Sequence, residues 1–123
     1  MPIQWTISHA DRLVEVAATG PVRLKDVERY LDAIVVAGAM TYGKLFDATA
    51  MEAAASDDDM MQLGARVQAY ARTFAAGPIA FVVTGPEAED YIRRFINLGA
   101  AKRPMKIFRT EAQARVWLEE QRT

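Results

Sequence analysis

The chain has 123 residues, 51% apolar and 25% charged, with a formal net charge of −1, which suits one globular domain over 1–123 that buries its own core and sets aside a protein whose main task is neutralising nucleic-acid phosphates. With no cysteine and one histidine, His9, it excludes disulfides, thiolate nucleophiles, Cys-based zinc sites and imidazole clusters. No apolar run approaches the roughly 20 residues of a membrane-spanning helix, and Met1-Pro2-Ile3-Gln4 lacks the basic-then-apolar order of a secretory signal, so the expectation is a soluble, cytoplasmic protein.

Ile3-Gln4-Trp5-Thr6-Ile7-Ser8 alternates apolar and polar side chains, and Leu13-Val14-Glu15-Val16-Ala17-Ala18 is rich in strand formers, which predicts an opening antiparallel hairpin turning at His9-Ala10-Asp11-Arg12. Leu24, Val27, Leu31, Ile34 and Val35 form one helical stripe with Tyr30 at its border. Gly38 is placed to end that helix in a left-handed cap, so the first helix runs from about Leu24 to about Ala37. A strand follows over Lys44-Leu45-Phe46-Asp47-Ala48, then a loop through Thr49 and an Ala-rich run.

Ser56-Asp57-Asp58-Asp59 opens the second helix, whose apolar positions Met60, Leu63, Gly64, Val67, Tyr70 or Ala71, and Phe74 recur at three- and four-residue intervals. Gly77-Pro78 ends it. Ile79-Ala80-Phe81-Val82-Val83 is a continuous apolar run, as a central strand covered on both faces requires. Gly85-Pro86 starts a third helix with Ala88, Tyr91, Ile92, Phe95 and Leu98 inward and Gly99 at its close. Met105-Lys106-Ile107-Phe108 is the last strand. Thr110-Glu111-Ala112-Gln113 has capping-box spacing before a final helix that buries Ala114, Trp117 and Leu118. The order β-β-α-β-α-β-α-β-α predicts an α/β fold with a mixed sheet of about five strands, the later ones parallel and joined by helical crossovers.

The junction from Asp47 to the second helix carries most of the functional information. A helix N-terminus presents outward backbone N–H groups and a positive dipole end, which suits an anion or a partner's acceptors. Ser56 serves either as the N-cap of that helix or as a phosphosite and partner contact. Asp57, Asp58 and Asp59 match the dipole; consecutive helical positions point about 100° apart and do not converge on a metal ion. Asp47 either fixes the loop amides that follow it or faces a ligand crevice. Met51, Met60 and Met61 fill the core or line an adaptable apolar contact. Arg93, Arg94, Lys102, Arg103, Lys106 and Arg109, interleaved with Phe95 and Phe108, are solvated surface or a patch for an acidic group. No nucleophile, base and orienting residue assemble into a catalytic set, so a non-enzymatic protein without cofactor or metal is expected.

The element order, the Phe46-Asp47 strand end, Phe81-Val82-Val83-Thr84-Gly85 leading to Arg94-Phe95, and Ile107-Phe108-Arg109-Thr110-Glu111-Ala112-Gln113-Ala114 continuing to Trp117-Leu118 together resemble the SpoIIAA-like family of the STAS superfamily, named for sulfate transporters and anti-sigma-factor antagonists. The resemblance spans almost the whole chain and its motifs are mostly structural. It implies an interaction domain that docks a regulatory protein partner through the loop and start of the second helix, here Asp47, Thr49, Ser56, Asp57, Asp58, Met60 and Met61, with Ser56 near the place of the family's phosphorylated serine. The Asp-Ser-Ser-Gly type of sequence expected there is replaced by Ala55-Ser56-Asp57-Asp58. The family is also similar to Sec14-type lipid-binding domains, which implies the alternative of a small-molecule or lipid carrier lined by Tyr70, Phe74, Tyr91, Phe95 and Phe108, with Arg94 and Arg109 meeting an anionic group. A homodimer formed through an uncovered strand or helix is a further expectation.

Overall fold

The computed structural model describes residues 2–54, 56–73, 75–99 and 103–122. Five strands and four helices alternate along these residues: β1 (Ile3–Ser8), β2 (Leu13–Val22), α1 (Leu24–Val36), β3 (Gly43–Ala53), α2 (Asp57–Thr73), β4 (Ile79–Val82), α3 (Pro86–Gly99), β5 (Met105–Phe108) and α4 (Glu111–Glu120). The strands lie side by side in chain order. β1 is antiparallel to β2, and every later neighbour pair is parallel.

Period-two alternation divides the sheet residues between two cores. Ile3 from β1, Val14, Val16, Ala18 and Val22 from β2, Ala48 and Met51 from β3, and Ile79 and Phe81 from β4 pack beneath Tyr30 and Ile34 of α1, Met60 of α2, and Ala88, Tyr91 and Ile92 of α3. Leu45, Ala80 and Val82 face the other way, against Ala114 and Leu118 of α4. Three helices therefore cover one face and one helix the other. β4 is buried at all four positions, as its uninterrupted apolar run requires.

Local chemistry ends the elements where the pattern places the breaks. Gly38 has φ +70°; its N–H donates to Val35 O at 3.1 Å and Ala39 N–H to Ile34 O at 3.0 Å, the paired bonds of a Schellman stop. At the start of α4, Thr110 Oγ1 accepts from Gln113 N at 3.2 Å, the hydroxyl half of the capping box.

Two strands run longer than the sequence pattern suggests. β2 continues past Ala18 to Val22 and β3 past Ala48 to Ala53, and Thr19, Gly20, Pro21 and Val22 pair with Ala50, Met51, Glu52 and Ala53. The expected loop from Thr49 into the Ala-rich run is thus strand as far as Ala53. Pro21 is tolerated because β1 begins opposite Ala18, so beyond that point β2 has β3 as its one strand neighbour and needs fewer donors. The register shifts between Ala17 and Thr19, where two residues of β2 span three of β3. This bulge inverts the side-chain parity of β3, so Phe46, Ala48 and Met51 all reach the three-helix core. Phe74, expected on the α2 stripe, lies outside the described residues.

Candidate partner-docking site at the start of α2

The entrance of α2 is closed by reciprocal hydrogen bonds. Ser56 Oγ accepts from Asp59 N at 3.1 Å, Asp59 Oδ2 accepts from Ser56 N at 3.1 Å, and Met60 N donates to Ser56 O at 3.0 Å. Ser56 is therefore the N-cap of a capping box in which an aspartate supplies the returning carboxylate. Ser56, Asp57 and Asp58 are exposed. The next two methionines part company: Met60 is 2% exposed and belongs to the core, whereas Met61 is 61% exposed. Met60, expected among the partner contacts, thus has no surface to offer, because the helical turn that carries it inward leaves Met61 about 100° away on the rim.

α3 supplies a cation and a phenol to this entrance. Arg94 Nη2 pairs with Asp57 Oδ1, and this bond holds the guanidinium pKa above its ordinary value. Burial raises the Tyr91 phenol, with a further upward push from Asp59 and a smaller lowering by Arg94. Two groups treated separately in the sequence, the acidic helix start and the basic stretch around Arg94, are one contact. The exposed rim formed by Ser56, Asp57, Asp58, Met61 and Arg94 combines acceptors, one apolar side chain and a paired cation.

Asp47 and Thr49 lie elsewhere. Asp47 precedes the bulge on the same parity as Leu45 and borders a groove with Glu15, Glu111 and Arg115 on the α4 side of the sheet. Its Oδ1 accepts from Thr49 N at 2.9 Å and from Thr49 Oγ1 at 2.7 Å, so it fixes the bulged backbone.

The anion- and ligand-binding candidates also separate. Phe95 stacks edge-on to Phe81 at 6.3 Å and Tyr91 is buried in the three-helix core. Phe108 sits on the opposite face against Trp117 at 5.7 Å. Arg109 is held by Glu89 Oε1 at 2.5 Å and by Val83 O at 3.1 Å. Tyr70 is engaged at the α1–α2 seam, where its hydroxyl donates to Asp32 Oδ1 at 3.1 Å and accepts from Arg66 Nε at 3.1 Å. The sheet therefore separates Phe108 from Tyr70, Tyr91 and Phe95, so these four do not line one cavity. Of the basic stretch, Arg93 pairs with Glu89 at 2.8 Å, Lys106 Nζ lies 5.6 Å from the Phe108 ring centroid, and Lys102 is outside the described residues. His9 is exposed in the first turn, with Nδ1 2.8 Å from the Tyr42 hydroxyl.

Sequence reasoning passed over two sets of residues. Arg66 ties α2 to α1 through Glu28 at 2.8 Å and Asp32; Glu28 and Asp32, four apart, and Arg66 and Tyr70, four apart, were the available signal. Lys44 is 2% exposed at the head of β3, and its shared parity with Phe46 was the sign that it points under the helices. Among the described residues, no group of three His, Asp or Glu side chains is arranged to hold a metal ion, and no helix is long and apolar enough to cross a membrane.

No family model and no curated protein matches the chain. Solved structures do share its architecture. An uncharacterised protein of the DUF3478 family from Shewanella loihica PV-4, described as having a SpoIIAA-like fold, superposes with a TM-score of 0.61 at 22% identity over 94% of this chain and 91% of that one. An anti-sigma factor antagonist from Mycobacterium paratuberculosis superposes with a TM-score of 0.58 at 15% identity over 95% of this chain and 94% of that one. The fold is SpoIIAA-like.

Proposed function

We propose that this chain is a non-enzymatic regulatory interaction domain that docks a protein partner at the start of α2, in the manner its likeness to an anti-sigma factor antagonist suggests. The observation that carries this reading is the exposed Met61 beside the exposed, already capped Ser56-Asp57-Asp58 turn. An apolar centre rimmed by charge is the composition of a small recognition patch, and a rigid cap presents it at little ordering cost. A complementary partner surface has an apolar depression flanked by lysine or arginine. Phosphorylation of Ser56, which the family resemblance implies, would place a dianion beside Asp57, Asp58 and Asp59 and compete for Arg94, converting a paired rim into a strongly acidic one.

The test is affinity capture from cells that carry the protein, comparing wild type with Ser56→Ala and with Asp57→Lys/Asp58→Lys. The charge-reversed variant should lose the partner while Ser56→Ala keeps most of it. Identical recovery with all three proteins removes this surface from consideration.

Self-association has its own supporting observation. The sheet edge at β1 carries no charged side chain over Ile3–Ser8, whereas the β5 edge holds Lys106 between Pro104 and Arg109. Charged and proline-flanked edges discourage pairing and bare ones permit it. Light scattering of wild type and Thr6→Lys tests this: a dimer should become a monomer in the variant, and a wild-type monomer at every concentration ends the idea.

A further inference from the structure

Far from α2's entrance, where the parallel strands begin, two buried cationic side chains meet the same pair of chain segments. Lys44 points inward from β3, and its Nζ donates to Met40 O at 2.5 Å; that carbonyl already accepts Gly77 N at 3.0 Å. Arg103 enters from the approach to β5. Its Nε donates to Gly77 O at 2.7 Å, while its Nη2 is buried with no partner. The two side chains are linked through Gly77, whose N–H meets the carbonyl that Lys44 binds and whose own carbonyl meets Arg103. Among the described residues, no carboxylate forms an ion pair with Lys44 or Arg103.

The imbalance has a chemical direction. Ammonium and guanidinium together offer many N–H donors, and the two carbonyls at the ends of the neighbouring connections take up one from each cation. Buried donors are almost always satisfied, and an orphan calls for an explanation. Two desolvated cations joined through one residue also disfavour each other's charge. A negative ion resolves both problems at once.

We propose that Lys44 Nζ and Arg103 Nη2 form an internal binding site for one small anion that accepts hydrogen bonds. The anion completes the coordination of Arg103, screens it from Lys44 and restores Lys44 to its ammonium form. This site is remote from Ser56 and independent of partner docking there. Halide, carboxylate and phosphate share the required chemistry, and the experiment separates them.

Thermal unfolding is followed at pH 7 and constant ionic strength while potassium gluconate, too bulky for the interior, is replaced stepwise by potassium chloride, acetate or phosphate. At least one of the three should give a saturable rise in Tm of about 3 °C or more, as a ligand bound to the folded state requires. Arg103→Met should abolish the rise. If that variant does not fold, Arg103→Lys, which keeps the charge and loses the planar fork, should move half-saturation up about tenfold or more. In protein with 13Cε-labelled lysine, the Lys44 resonance should carry the ammonium shift in the stabilising salt and the amine shift in gluconate. Equal Tm in all four salts, or an unsaturating rise of the same size in wild type and variant, overturns the proposal.

Discussion

At the rim where β3 ends and α2 begins, charge is exposed and answered by nearby charge: Ser56 and Asp59 cap each other, and Asp57 meets Arg94. At the rim where β3 begins, Lys44 and Arg103 are withdrawn from water and answered by the carbonyls of Met40 and Gly77. The same strand thus carries charge into two different dielectric settings. Exposed pairs contribute little to stability, which leaves their surface free to serve recognition, whereas desolvated groups couple strongly to the fold and to pH. Charge substitutions at the first rim should alter binding and spare the fold, and those at the second should do the reverse.

The largest effect should come from Gly77→Ala. An added Cβ would lie 2.2 Å from Tyr42 O and 2.4 Å from Thr41 O, backbone atoms that cannot swing aside, so chemical denaturation should show a loss of about 3 kcal/mol or more. A stability within 1 kcal/mol of wild type would mean that the crossing of these segments is looser than described.

Lys44→Met should act with the opposite sign. Burial, reinforced by Arg103, pulls the Lys44 amine from 10.5 down to about 6. Between those values the unfolded chain holds a proton that the folded chain has released, so wild-type stability falls as pH drops through the window, by up to about 1.4 kcal/mol per unit, and levels off below pH 6. In gluconate, Lys44→Met should flatten this slope and add about 1–4 kcal/mol at pH 7. Parallel pH profiles for the two proteins would contradict the desolvated amine.

Ser56→Ala should cost about 1 kcal/mol, the usual worth of a hydroxyl N-cap, read as a shift in the denaturation midpoint without a change in slope. Arg94→Ala should leave the Tm unchanged within measurement, because its bond to Asp57 is solvent-exposed. A large Tm loss there would make the exposed rim a structural element and erase the contrast between the two ends.

Most of the architecture was legible because periodicity is a statement about burial. The alternation of Ile3, Trp5 and Ile7, the unbroken run of β4 and the stop at Gly38 each have one structural solution. The lengths of β2 and β3 were not, because Gly20-Pro21 reads locally as a turn while its pairing with Met51 and Glu52 is set by the neighbouring strand. The same limit applies to the site. Ser56 could be recognised as a cap from Ser-x-x-Asp, but the meeting of Asp57 with Arg94, 37 residues apart, depends on how α2 and α3 pack. Asp47 and Thr49, close to Ser56 in sequence, proved to belong to a bulge on the α4 side. Of the aromatic residues offered as a lipid lining, strand parity separates Phe108, which lies across the sheet from Tyr91 and Phe95.

The central claim, that the start of α2 meets a protein partner, is tested most directly by photo-cross-linking in the cells that carry the protein, with a photoreactive residue placed at Met61 or at Val116. Both side chains are comparably exposed, at 61% and 62%, on different helices. The account predicts a discrete cross-linked product from position 61 that disappears with Asp57→Lys/Asp58→Lys, and none from position 116. Cross-linking at 116 alone, or at neither position, would contradict it.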